Sequence, residues 1–468
     1  MKKIFSLFIP LVFLFQGFYG QSGYHVTIAV RDYPYDSLLI TSYYGDRVIS
    51  VDTALSAEDQ VFTFQGDSLL PGGIYMAVSQ RKSKLFEFIM GADQHFSLVT
   101  DTLNYVREMK VTDSQENELF YQFLQMSERN YRLNQQYVAK LNSLQNGSDE
   151  YKSLQHKIDS INRITVQFKE EIIDSYPELF IGKVFNATRD VKVPESILSG
   201  PDSLAPYRYL KEHYWDYLDL SDSRMLRTPM LSRKFDFYFQ QLVPHHPDSV
   251  IADIDRVISL SRPSEEVKSW LLWQFMSKYQ NPEYMGFDVV FIHLVDVYFS
   301  KEKVNNLTPS IQQTLEERAD RMRPLVIGKP APNLILMDTT GNFKSFRDLT
   351  NEYIVLYFWD YDCGICKKES KVLKELYESD TFDMEVYAIN VNSDLGTWKQ
   401  RLAENGFQWV NVNGTRSMTP DFHDLYDTHG TPLIYILDRQ HLILAKNISA
   451  DQIEIFLLND KTRQKALD

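Results

Sequence analysis

The sequence predicts a multidomain α+β protein: an N-terminal β-sandwich-like domain, a helical middle domain and a C-terminal α/β domain. Three observations predict it. Apolar residues first recur at every second position, then at helical spacing, and finally in short strands that alternate with helices. These changes place the domains at 21–112, 113–324 and 325–468, behind an export segment over 1–20. A chain of 468 residues has room for that many cores.

The first domain opens with Tyr24, Val26, Ile28 and Val30 alternating with His25, Thr27 and Ala29, the pattern of a half-buried strand. Short apolar runs follow at 38–44, 48–51, 61–64, 74–78, 85–90 and 95–99. Gly45-Asp46, Gly66-Asp67, Pro71-Gly72-Gly73 and Gly91-Ala92-Asp93 supply the turns between them. Many short strands with frequent turns predict a small antiparallel sandwich of binding or scaffolding type.

From 113 the period changes. Leu119, Phe120, Phe123 and Leu124 recur at helical spacing, and Leu133, Tyr137, Leu141 and Leu144 continue it to a break at Asn146-Gly147-Ser148. Leu154, Ile158 and Ile161 begin a second helix that runs to Tyr176-Pro177, so the two form an antiparallel hairpin. Further helices are expected over 205–215, 233–242, 249–261, 265–279 and 289–299. The dense aromatics here (Tyr207, Tyr209, Tyr214, Trp215, Tyr217, Trp270, Trp273) read as an aromatic core, or alternatively as a groove for a peptide or sugar. His245-His246 is a weak metal candidate, because neighbours on one helix point apart and no carboxylate accompanies them at ligand spacing.

The third domain enters through Gly328-Lys329-Pro330-Ala331-Pro332. Strands are expected at 333–337, 354–359, 384–390, 409–412, 433–437 and 442–446, with helices at 363–377, 397–405, near 421–426 and from 451. That alternation implies a sheet covered on both faces.

Lys2 and Lys3 followed by the apolar run 4–15 read as a signal peptide, with Phe18-Tyr19-Gly20 before the cleavage point. An uncleaved anchor is the competing reading, but the run is short for a hydrocarbon core of ~30 Å. No cysteine follows to carry lipid. The formal charge of −14 becomes −16 without the two lysines, and no basic stripe offers itself to nucleic acid.

Against that exported setting the cysteines stand out. There are two, Cys363 and Cys366, spaced C-x-x-C. A disulfide that closes so short a loop constrains the unfolded chain little, so its use is chemical. Cys363 falls between a strand and a helix, where unpaired N–H groups favour thiolate. It can then attack a disulfide, and Cys366 can resolve the product. Competing readings are an inert disulfide, a peroxidatic cysteine, and a zinc site that His423 or His429 would have to complete.

Residues 325–460 resemble the thioredoxin-like family, and within it the exported branch that includes the cytochrome-c-maturation reductants. The resemblance rests on Phe358-Trp359-Asp360-Tyr361-Asp362-Cys363-Gly364-Ile365-Cys366, on the entry segment, and on Gly430-Thr431-Pro432 before a strand. It implies a cis Pro432, with Trp359, Thr431 and Pro432 at the substrate-binding surface. It also implies Glu369 as a proton partner of the thiols, since Tyr357 occupies the strand position where the family carries a buried Asp. No cofactor or metal is implied. The partners it implies are protein thiols and disulfides of the periplasm or cell envelope, with a membrane or periplasmic electron donor. The three-part layout further resembles a group of envelope proteins from Bacteroidetes.

Two departures sharpen the expectation. Asp362 stands where the family has Trp; it is expected to cap the helix, and its charge to raise the Cys363 pKa. Gly364-Ile365 between the cysteines contains no His or Pro, which points to a reductant or isomerase instead of an oxidant. The competing functions are a scaffold protein with vestigial cysteines and a thiol peroxidase.

Overall fold

A computed structural model describes residues 23–56, 60–282, 284–428 and 430–467. The expected signal peptide lies outside them. The chain divides into two compact units, Met1–Tyr238 and Phe239–Asp468. The change of pattern at 324/325 therefore falls inside the second unit, which takes in the later helices of the middle segment.

The first unit opens with eight strands: β1 (Tyr24–Arg31), β2 (Ser37–Tyr44), β3 (Arg47–Leu55), β4 (Val61–Gly66), β5 (Gly73–Ser79), β6 (Lys84–Met90), β7 (His95–Asp101) and β8 (Lys110–Thr112). They form two four-stranded sheets, ordered β4-β1-β7-β8 and β3-β2-β5-β6. The alternation in β1 does what it predicts: Val26, Ile28 and Val30 are fully buried. β1 and β7 are parallel, and the remaining pairs are antiparallel. The sheets meet through aromatic pairs such as Phe88 and Phe96, with ring centroids 6.1 Å apart.

Among the described residues six α-helices follow in this unit: α1 (Gln115–Leu141), α2 (Asp149–Ser175), α3 (Phe180–Ala187), α4 (Glu195–Leu198), α5 (Ala205–His213) and α6 (Pro229–Phe237). The Asn146-Gly147-Ser148 break becomes the hairpin loop, and the Ser148 hydroxyl accepts the Tyr151 N–H to cap α2. Helix α3 was not expected; six of its eight residues are buried, so it lacks the polar face that marks an amphipathic helix.

In the second unit come α7 (Pro247–Ser261), α8 (Glu265–Tyr279), α9 (Asp288–Leu294) and α10 (Pro309–Met322). A seven-stranded mixed sheet follows, built from β9 (Ile335–Asp338), β10 (Phe343–Ser345), β11 (Tyr353–Trp359), β12 (Met384–Asn390), β13 (Val410–Ser417), β14 (Leu433–Asp438) and β15 (Ile443–Lys446). Its order is β10-β9-β13-β12-β11-β14-β15. The remaining helices are α11 (Gly364–Glu378), α12 (Leu395–Asn405), α13 (Phe422–Tyr426) and α14 (Ala450–Leu467).

The sheet is covered on both faces, as the alternation predicts. Val355, Tyr357 and Leu373 belong to one core, and Leu356, Phe358 and Tyr426 to the other. Lys446 ties the preceding helices to this sheet: its buried ammonium donates to Asp288 Oδ2 at 2.6 Å and to the Leu325 carbonyl at 2.8 Å. Among the described residues no helix is long and apolar enough to cross a membrane.

Candidate active site at a strand-to-helix junction

Strand β11 is buried along its whole length, which a central strand with both faces covered requires. At its end Asp360 turns the chain. Its carboxylate accepts the Asp362 N–H at 2.8 Å and its carbonyl accepts the Cys363 N–H at 3.2 Å. Helix α11 then starts at Gly364, and its N-cap is Cys363, not Asp362 as expected: the Cys363 sulfur accepts the Cys366 N–H at 3.2 Å. The helix begins one residue too late for the Asp362 carboxylate to reach that N–H, and a sulfur takes the place of the usual oxygen.

Strand β14 lies antiparallel to β11 with Leu433 opposite Phe358, so the loop that feeds it ends beside the dithiol. The Thr431–Pro432 bond in that loop is cis. The Thr431 carbonyl stands 3.6 Å from Cys363 Sγ and accepts the neutral thiol's S–H.

The two thiols are electrostatically unlike. Burial pushes the Cys363 thiol up, but donation from the Cys366 thiol and from the N–H groups of Cys366 and Ile365 outweighs it, so Cys363 titrates below an ordinary thiol. This reverses the expectation from Asp362, whose solvent-exposed carboxylate does not prevail over hydrogen bonds made directly to sulfur. Cys366 is fully buried and pushed up to about 11, first by burial and then by its hydrogen bond to Cys363.

Glu369 lies one turn beyond Cys366 on α11, half-buried, and its Oε2 accepts the Ala450 N–H at the start of α14. Trp359 is 3% exposed, packed edge-on against Phe407 with ring centroids 5.8 Å apart. What it shows to solvent lines a cleft of about 390 Å³ together with Tyr361, Ser370 and Phe407. The site thus brings Cys363, Cys366 and Thr431 into one hydrogen-bonded group and leaves Trp359 and Glu369 on its flanks.

The sequence reading missed the contact that anchors the base of α11. The Tyr357 hydroxyl donates to the Cys366 carbonyl at 2.9 Å and shares a 2.9 Å hydrogen bond with Ser370 Oγ, wholly inside the core. The signal was present: Tyr in a buried strand needs a polar partner, and Ser370 is on the same helical face as Cys366.

Among the described residues no group of three or more His, Cys, Asp and Glu side chains is placed to hold a metal ion. His423 pairs with Asp421 at 2.8 Å, and His429 lies outside the described residues. His245 and His246 do not share a helix: His246 is the N-cap of α7, while His245 packs on Tyr284 and Phe287.

Residues 327–446 match the family model described as AhpC/TSA family. The C-terminal domain is thioredoxin-like. Upstream of this thioredoxin-like domain, residues 145–321 match a domain of unknown function, DUF5106. The chain is similar to Thiol-disulfide oxidoreductase ResA of Bacillus thuringiensis, 39% identical over 51 residues, 11% of this chain and 30% of that protein. Against ResA of Bacillus subtilis the identity is 27% over 115 residues, 24% of this chain and 61% of that protein. The chain therefore spans less than two thirds of the length of these curated relatives.

Among solved structures, a domain of a possible thiol-disulfide isomerase from Cytophaga hutchinsonii is 33% identical, over 31% of this chain and 99% of that one, at a TM-score of 0.29. A thioredoxin-like protein from Bacteroides caccae is 19% identical, over 58% of this chain and 97% of that one, at a TM-score of 0.46.

Proposed function

We propose that this chain is an exported thiol–disulfide oxidoreductase that reduces or isomerises disulfides of envelope proteins in a Bacteroidetes cell. The observation that carries the reading is the asymmetry of the dithiol. One sulfur is partly exposed and ionises early at a helix start, while its neighbour is buried and ionises late.

In the proposed reaction the Cys363 thiolate attacks a substrate disulfide, one substrate sulfur leaves as thiolate and takes up a proton, and a mixed disulfide forms. Cys366 then loses its proton and attacks Cys363 Sγ. The mixed disulfide breaks, the substrate departs as a dithiol, and the enzyme retains the Cys363–Cys366 disulfide until an electron donor reduces it. Thr431 and Pro432 present backbone to the substrate, and Trp359 supports the surface beside them. Glu369 is the proposed proton acceptor for Cys366.

The deciding experiment expresses full-length Cys366→Ala in the native host. Mixed disulfides through Cys363, absent when Cys363 is also replaced, are expected. Their complete absence overturns the reading in favour of a scaffold. The reducing direction is tested by titration against glutathione; a midpoint near that of the strongest oxidants, about −120 mV, refutes it.

A further inference from the structure

The helical part of the first unit contains a cleft of about 500 Å³ that the thiol chemistry does not use. Val191, Leu210, Met230 and Phe237 give it apolar walls. Phe237 remains 48% exposed although its ring stacks on Tyr214 at 5.8 Å. A cluster of open apolar side chains of this size in a helical domain is the ordinary shape of a small-molecule site.

The charges beside it are unbalanced. Arg233 and Lys234 line the cleft from successive positions of α6, and among the lining residues Asp190 is the one acid. Lys234 lies 4.9 Å from the centroid of the Tyr214 ring. Neither its ammonium nor the Arg233 guanidinium makes a hydrogen bond or ion pair among the described residues. Lys169 adjoins the same wall, donating to the Thr188 hydroxyl at 3.1 Å. Burial lowers the pKa of both Lys169 and Lys234, and the exposed Asp190 opposes the shift in each without cancelling it. A partly dehydrated cation whose one neighbouring acid, Asp190, is exposed and makes no ion pair with it, and an apolar wall open to water, are each unfavourable. One ligand relieves both, and in a chain of formal charge −14 a cleft in which cations outnumber acids is out of keeping with the rest.

We propose that this cleft binds a medium-chain monocarboxylate, its carboxylate on Lys234 and Arg233 and its hydrocarbon body between Leu210, Met230 and Phe237. The cation–π contact with Tyr214 holds the ammonium at the cleft in the unliganded chain. Anion and ammonium then make a charge-assisted hydrogen bond in a site that excludes part of the water.

Calorimetric titration of the full-length chain with decanoate tests this, with decanol and decyltrimethylammonium as controls. Saturable one-to-one decanoate binding is expected, weakened roughly tenfold or more by Lys234→Met and largely kept by Lys234→Arg. Phe237→Ser changes an exposed residue, leaves the thermal unfolding intact and is expected to weaken binding several-fold. Absence of saturation, decyltrimethylammonium binding as tightly as decanoate, or unchanged affinity in a folded Lys234→Met chain would each overturn the proposal. So would capture of a peptide's apolar C-terminus by a chain that ignores decanoate.

Discussion

Limited alkylation separates the two thiols and tests the electrostatics on which the proposed chemistry rests. At pH 7.5 a thiol of ordinary pKa, about 8.5, is roughly 9% thiolate. One at about 11, the Cys366 value, is roughly 0.03% thiolate at that pH, a ratio of roughly 300. The more basic thiolate is the better nucleophile, and a Brønsted slope of about 0.45 over those 2.5 units returns roughly a factor of 13. The net preference for Cys363, were it merely ordinary, is then roughly twentyfold, before the complete burial of Cys366 adds its own protection.

The assay treats the reduced full-length chain with substoichiometric iodoacetamide and locates the label by tandem mass spectrometry. Cys363 is an acid with a lowered pKa, so its labelling rate should level off at a pH below the ordinary thiol range. Cys366 is an acid with a raised pKa, so its rate should climb about tenfold per pH unit until about pH 11. Equal labelling at neutral pH, or Cys366 labelled first, refutes the reasoning.

Substitutions at the Lys446–Asp288 pair, at Tyr357 and at Glu369 test three further contacts. Lys446→Met strands the Asp288 carboxylate, whose side chain is 2% exposed, and should cost the second unit about 3–5 kcal/mol in urea denaturation. The double change Asp288→Leu with Lys446→Met should recover most of that, and a single-variant loss below about 1 kcal/mol contradicts the burial argument. Tyr357→Phe leaves Ser370 Oγ without its buried tyrosine partner and should cost about 1–3 kcal/mol, with Cys363 alkylation within twofold of wild type because the hydroxyl touches no sulfur. Glu369→Gln keeps an oxygen for the Ala450 N–H but loses the charge, so folding should persist while resolution of a preformed Cys363 mixed disulfide slows several-fold; a wild-type rate removes Glu369 from the proposed proton path.

What the sequence made legible follows from the range of each interaction. The alternation around Val26, Ile28 and Val30, the wholly apolar β11 and the Ser148 cap are local, and local pattern specifies them. The dithiol was legible because two cysteines three apart leave few structural uses. What escaped depended on the helix start or on distant pairing. Cys363 became the cap because α11 begins at Gly364, and a one-residue shift exchanged the roles of a carboxylate and a sulfur and with them the sign of the pKa argument. The attachment of the α9 segment to β15 hangs on Asp288 and Lys446, 158 positions apart, and each alone reads as a solvated surface charge. Lys234 is the same case in the first unit: on an amphipathic helix it reads as solvated, and only the return of the chain at Tyr214 places its ammonium beside a ring and an open apolar wall. Long-range contacts of charged side chains are thus where function hides from a sequence, because composition cannot distinguish a charge that faces water from one that awaits a partner.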